Sequence, residues 1–414
     1  MSLPSLHPLD KRAPVGMLWA GRDDHGRDRS LDSLDLLARL LGHDSVSRNP
    51  NRALIDDVAG LLRGAGLDPV ILPDPSGAKA NLFVTAGPTD RGGVMLSGHT
   101  DVVPVDGQAW TVPPFALTRR DGRLYGRGAA DMKGFVACAL SAVLRASRRE
   151  LRTPLHLALS YDEELGCLGV ASLIDMLDRA PFRPLLCLVG EPTGMQVASG
   201  HKGKIALRAT CTGREAHSAL APLGLNAIHL GADFLGRLRV LQDRLEREGP
   251  KDDDYDVPYT TVHAGRIEGG VTLNIVPNRC VLDFEIRNIV EDDVGALLAG
   301  LREEAEVLSL AARARAPEAG IVIEELFSYP GLGTPTDGEA VRFVQGLTGA
   351  NGTIKVAFGT EGGLFSQRLG VPTVICGPGS MAQGHKPDEY VTEEQMARCE
   401  AMLGALLDRL EAGL

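Results

Sequence analysis

Apolar runs of strand length recur along the chain, and each ends in polar residues of one kind. GGVMLSGH (92–99) ends at His99, with Asp101 two residues on. LHLALSYD (155–162) leads into Glu163 and Glu164, and LLCLVG (185–190) leads into Glu191. VPTVICGPG (371–379) precedes the loop that carries His385. Asp131 stands just ahead of the apolar pattern FVACALSAVL (135–144), which predicts an amphipathic helix. Carboxylates and imidazoles at the C-terminal ends of strands fall where open α/β sheets build their sites.

The remaining pattern extends this frame. SLDSLDLLARLLGHDSV (30–46) and NRALIDDVAGLLRGAG (51–66) carry apolar residues at helical spacing with N-cap and glycine stop signals. Strand-like PVILP and NLFVTAG follow, so the order ααβββ with later βα alternation predicts an α/β fold, a mixed sheet flanked by helices. Residues 108–131 read as a loop and a hairpin turning at Asp121-Gly122. Further elements are a helix to about Arg145, strand 154–161, helix 168–179 and strand 184–190.

The texture changes after VGEPT (189–193). A strand at KGKIALRATCTG, a long helix, strands TTVHAGRIEGGVTLN and CVLDFEIRNIV, a second helix and strand GIVIEELFSYPG give βαββαβ, the ferredoxin-like order. This reads as an inserted α+β domain over 201–330. The flanking stretches 31–200 and 331–414 then make one domain in two parts, the latter with helix 337–347, strand 371–376 and helix 392–412. Residues 1–30, polar and broken by prolines, read as an N-terminal arm.

Composition adds exclusions. A length of 414 residues accommodates two domains. No apolar stretch is long enough to predict a membrane span. A net charge of −11 argues against a nucleic-acid partner, which asks for a basic surface. The seven cysteines form no CxxC pair and sit mostly in apolar runs, so free thiols and a reducing cytoplasm are expected.

A hydrolytic metal site needs anionic or imidazole ligands, an open position for water, and a base beside it. His99, Asp131, Glu164, Glu191 and His385 supply such a set. In a two-metal arrangement Asp131 bridges, His99 and Glu191 complete one ion, and Glu164 and His385 the other. Asp101, two residues from His99 on an extended backbone, points to the same side and can accept from the second ring nitrogen. Glu163 and Glu164 are adjacent and point apart, so one can bind metal while the other faces substrate. Singly each of these residues reads as an ordinary strand-end or loop group. Together, with every ligand type at a predicted strand end, they point to one metal-centred hydrolase.

At these residues the chain resembles the M20 family of metallopeptidases and deacylases. The resemblance covers nearly everything from about 30 to 414, through GHTDVVP, GRGAADMKG, YDEELG, GEPT, HKGK, GREAHS, NIVPNRC, FEIR, GTEGGLF and QGHKPDEY. It implies a zinc-peptidase-like catalytic domain with two zinc ions per chain, cobalt or manganese being alternatives, held by the five ligands above. It implies Glu163 as general base and Asp101 as the residue orienting His99. It implies that the insert is a lid through which a homodimer forms, that His217 of GREAHS stabilises the oxyanion, in its own site or its partner's, and that Asn274 and Arg287 hold a substrate carboxylate. The implied reaction is hydrolysis of an N-acyl amino acid; a peptidase and a non-catalytic binding member are the alternatives. Glu361 of GTEGGLF is a candidate acid for a cationic substrate side chain, and Gly362 beside it departs from the family, where Ala is commoner.

Overall fold

The computed structural model describes residues 32–414; the expected arm over 1–30 lies outside them. A nine-stranded mixed sheet runs in the order Val70–Pro73, Ala80–Ala86, Leu155–Ser160, Val94–His99, Leu186–Pro192, Thr373–Gly377, Ala198–His201, Leu332–Gly333, with Ile354–Val356 also paired to Ala198–His201. Its centre is parallel: Val94–His99 runs alongside both Leu155–Ser160 and Leu186–Pro192, and Thr373–Gly377 runs alongside Leu186–Pro192. The predicted ligand-bearing strands are therefore neighbours that end on the same edge of the sheet.

Alternation along these central strands divides two cores. Val94, Leu96, Leu155, Leu157, Leu186 and Leu188 pack with helices Ser33–Leu41, Arg52–Gly64, Lys133–Ala146 and Glu393–Ala412. Met95, Ala158, Cys187 and Val189 point the other way and pack with helices Ala171–Arg179 and Gly362–Leu369. Strands buried on both faces read as continuous apolar runs, which is why the sequence shows no clean alternation there. Helix Lys133–Ala146 lies so close to the sheet that a Cβ on Gly190 would fall 1.9 Å from the Phe135 ring, so only glycine fits just before Glu191.

A second, four-stranded antiparallel sheet has the order Thr261–Gly269, Arg279–Arg287, Lys204–Thr212, Gly320–Tyr329. Helices Ala227–Glu248 and Val294–Arg313 cover one face and close a separate core around Phe234, Leu238, Phe284 and Leu301. A third sheet joins the hairpin Thr118–Arg120 and Arg123–Tyr125 to Tyr390–Thr392. Its turn has left-handed backbone at both Asp121 (φ 53°) and Gly122 (φ 71°), the conformation that an Asp-Gly hairpin signal specifies.

Three details differ from the sequence expectation. The first helix stops at Leu41, because Gly42 caps it, and does not run on to Val46. The strand expected through GGVTLN ends at Gly269, since Gly270 takes a left-handed turn and leaves Val271 and Leu273 almost wholly exposed. Strand Ala198–His201 had no expectation at all. Among the described residues no helix is long and apolar enough to cross a membrane.

Candidate metal centre

His99 ends its strand buried, 1% exposed, and its Nε2 lies 3.0 Å from Asp131 Oδ1 and 3.7 Å from Glu191 Oε1. The other oxygen of Asp131 faces His385, 3.1 Å from its Nε2, and the Glu164 carboxylate lies 3.2 Å from the same nitrogen. Two triads result, His99–Asp131–Glu191 and Asp131–Glu164–His385, each with its candidate ligand atoms within 4.8 Å of one another. Asp131 belongs to both, one oxygen turned to each. The Glu163 carboxylate approaches His99 Nε2 at 4.0 Å, and among the described residues the one hydrogen bond it accepts is a weak one, at 3.4 Å, from the Cys167 thiol.

The electrostatics follow from crowding. Burial, with the neighbouring carboxylates, pushes Glu163 and Glu191 well above the usual carboxylate range, and Glu164 up to about 7. Burial also opposes charge on Asp131, but hydrogen bonds from His385 and His99 outweigh it and hold this carboxyl well below its usual value. The Asp131 and Glu164 bonds raise His385 to about 10. Among the described residues no Lys or Arg pairs with Asp131, Glu163, Glu164 or Glu191. A buried set of oxygen and imidazole donors with uncompensated negative charge fits divalent cations. His385, with 43% of its side chain exposed, marks the open side of the centre.

Asp101 departs from expectation in one respect. The His99 Nδ1 donates to the backbone carbonyl of Asp101 at 2.9 Å, while the carboxylate stands off at 3.6 Å. That carboxylate instead accepts from Ser47 Oγ and from the amides of Glu163 and Glu164, fixing the turn that aims both acids. Ser47 went unnoticed in the sequence, where a lone serine after a helix gives no signal.

Residues 95–409 match the model of the peptidase family M20/M25/M40. The chain belongs to this family. Among its relatives, acetylornithine deacetylase of Myxococcus xanthus is 37% identical over 376 residues, 89% of this chain and 94% of the relative. The acetylornithine deacetylase of Proteus mirabilis is 34% identical over 383 residues, 91% of this chain and 96% of the relative. A metallo-carboxypeptidase from Sulfolobus solfataricus shares the fold with a TM-score of 0.73 at 19% identity, covering 92% of this chain and 99% of that one. A dinuclear metal-binding peptidase from Bacillus subtilis superposes with a TM-score of 0.65 at 13% identity, covering 92% and 98%.

In this M20 member the structure does not bring every candidate to the centre. His217 and Asn274 sit side by side and exposed at one end of the four-stranded sheet, where His217 bridges Ile275 and Ser218 N donates to the Asn274 carbonyl. No hydrogen bond or ion pair among the described residues joins either to the acidic centre. Arg287 is half-buried and donates to the Tyr329 hydroxyl at 2.9 Å and to Glu285 at 3.1 Å. Tyr329, also missed in the sequence, packs in the same core as Cys167, four residues from Glu163. Glu361 is 2% exposed at the start of helix Gly362–Leu369, and one of its oxygens has no partner. It is buried and is not a surface acid.

The crowding has a pH signature in metal-free protein. A carboxyl raised on folding leaves the native state most stable below its unfolded value and costs stability as pH climbs through its folded value. For Glu164 that window runs from about 4.5 to about 7. The raised His385 adds a loss of the same sign between about 6.5 and about 10. Chelated protein should therefore melt at lower temperature at pH 8 than at pH 5, and a saturating divalent ion should raise the melting point more at pH 8. Equal metal-induced shifts at both pH values would contradict this reading.

Proposed function

We propose that the chain is a zinc-dependent amidohydrolase that converts N2-acetyl-L-ornithine to L-ornithine and acetate, as in arginine biosynthesis. The observation that carries the hydrolase reading is the pair of triads sharing Asp131, with Glu163 beside them and, among the described residues, without a charged hydrogen-bond partner. The acetylornithine deacetylases that are 34–37% identical over about nine-tenths of the chain support the substrate.

His99 and Glu191 would hold one ion, Glu164 and His385 the other, and Asp131 both. Such ions polarise an acyl carbonyl and lower the pKa of water to about 7; zinc fits this donor set, and cobalt or manganese would fit it too. Glu163 takes the proton from the attacking water and returns it to the departing amine. Burial, which raises its pKa, suits it to hold that proton between the two steps. Glu164 is occupied by His385, which separates the ligand from the base. Arg287 offers a guanidinium for the α-carboxylate, a match in shape and charge.

In this reading 31–200 and 331–414 form the catalytic domain, and 201–330 form the lid and dimerisation domain. The rim holding His217 and Asn274 carries Leu220, Leu223, Val271 and Leu273, the last 97% exposed. An apolar rim beside two polar groups without a site of their own supports a homodimer in which His217 serves the partner's centre, stabilising the oxyanion. Seven free, buried cysteines support a reducing, cytoplasmic setting.

Glu163→Gln should retain both ions yet lose about 10²–10⁴-fold in turnover, whereas Glu164→Gln should lose one equivalent of metal. The opposite behaviour of the two variants would exchange base and ligand. Mixing His217→Ala with Glu163→Gln chains should restore activity in mixed dimers; none in verified mixed dimers would return His217 to its own chain. For the substrate, kcat/KM is compared for acetylornithine, succinyl-diaminopimelate, acetylmethionine and acetylcitrulline on one zinc-loaded preparation. A preference for any competitor of about tenfold, or 1.4 kcal/mol of transition-state discrimination, would reject acetylornithine and leave the deacylase chemistry intact.

A further inference from the structure

The two ligands that complete the second triad, Asp131 and His385, come from loops 254 residues apart in sequence. A buried charge pair helps tie those loops together. Arg127 and Glu389 are each 1% exposed, with Arg127 Nη1 donating to Glu389 Oε2 at 2.7 Å. Glu389 Oε1 accepts from the amides of Ala130 and Asp131 at 2.9 and 3.1 Å, and its own carbonyl accepts from Gly126 N at 3.0 Å. Arg127 reaches the other loop, donating to the Lys386 carbonyl at 3.3 Å. Its second Nη donates to Gln108 Oε1, and Gln108 Nε2 in turn donates to the carbonyl of His385 at 3.1 Å. The Trp110 ring, 5.0 Å from the guanidinium carbon, lies against it.

These bonds reach the backbone of the residues that carry the candidate ligand atoms. Glu389 holds the backbone of Asp131, and Arg127 with Gln108 holds the backbone of His385 and its neighbour. His99 and Glu191 receive nothing from the pair: they issue directly from sheet strands. His385, in contrast, sits on a loop in left-handed backbone (φ 60°), a conformation that needs outside support in a non-glycine residue.

We infer that Arg127 and Glu389 are a positioning pair that sets the distance between Asp131 and His385, and so the affinity of the Asp131–Glu164–His385 triad for its ion, while the His99–Asp131–Glu191 triad, two of whose three members issue from strands, feels the pair only through Asp131. The inference rests on the two-ion reading above. It assigns the two triads unequal sources of rigidity: strand ends for the first, a buried ion pair between loops for the second. Arg is suited to this role because its fork serves a carboxylate, a carbonyl and an amide oxygen at once, which an ammonium on a flexible stem does not.

Metal-free wild type, Glu389→Gln and Gln108→Ala are titrated with zinc against a chromophoric chelator, resolving the dissociation constant of each equivalent, and the melting temperature of each metal-free protein is recorded. Glu389→Gln should weaken the second equivalent by about 10- to 100-fold, the range for groups that orient ligands, and the first by less than about threefold. Gln108→Ala, altering a partly exposed side chain, should weaken the second equivalent alone with the melting temperature unchanged. Should Glu389→Gln fail to fold, the double variant Arg127→Met with Glu389→Leu leaves no unpaired buried charge and carries the same expectation. Equal weakening of both equivalents, or an unchanged second equivalent in folded variants, would overturn the positioning role. Fewer than two equivalents bound by wild type would instead refute the two-ion reading.

Discussion

Four carboxylates gathered in one buried place dominate the energetics of this fold. Asp131, Glu163, Glu164 and Glu191 share two imidazoles and, among the described residues, no Lys or Arg. Buried charge without a partner is costly, so the arrangement persists either by holding protons or by holding cations. The raised values of Glu163, Glu164 and Glu191 are the first outcome, and the two triads are the geometry for the second. A protein that only needed stability would replace these groups with apolar ones. Their gathering from three separate places in the chain, before helix Lys133–Ala146, after strand Leu155–Ser160 and in strand Leu186–Pro192, suits the second outcome.

The backbone around the acids is shaped to the same end. Among the described residues six non-glycine residues have left-handed backbone, and Asp162, Cys167, Met195, His385 and Asp388 all lie in or beside the loops of the acidic centre. Such conformations cost about 1–3 kcal/mol each and persist where surroundings over-determine them. The surroundings here are specific. Asp162 is held by Lys79, and Asp388 by the amide and hydroxyl of Thr111. The Asp101 carboxylate takes both glutamate amides of the turn that Asp162 opens. Packing strength from the sheet is thereby spent on aiming side chains at strand ends.

The sequence made the centre legible because its ligands follow apolar runs whose length and composition mark them as strands. Periodicity identifies a strand and its end, and residues at the ends of parallel neighbours meet in space. What periodicity lacks is the next layer. It gives no sign that Asp101 offers its carbonyl to His99 and its carboxylate to Glu163 and Glu164, since both groups lie within one residue. It gives no sign that Glu361, at the start of helix Gly362–Leu369, is buried. In GGVTLN, alternation reads as a strand, while Gly270 decides the outcome by leaving the sheet.

The order of ligands along the chain adds a constraint on assembly. His99, Asp131 and Glu191 all precede the four-stranded sheet, and His385 follows it. Two members of the first triad, His99 and Glu191, lie on strands that pair within the first 200 residues. The second needs the chain to return after the whole insert, lay Thr373–Gly377 against Leu186–Pro192, and pack helix Glu393–Ala412 on Lys133–Ala146. Contacts of long sequence separation carry the larger loop-closure cost and form only when much of the fold is in place. The most exposed ligand, His385, is thus also the one whose position depends on the greatest length of correctly folded chain. An ion bound between Asp131, Glu164 and His385 would therefore link the two parts of the nine-stranded sheet, and its binding energy would count toward the stability of the closed fold.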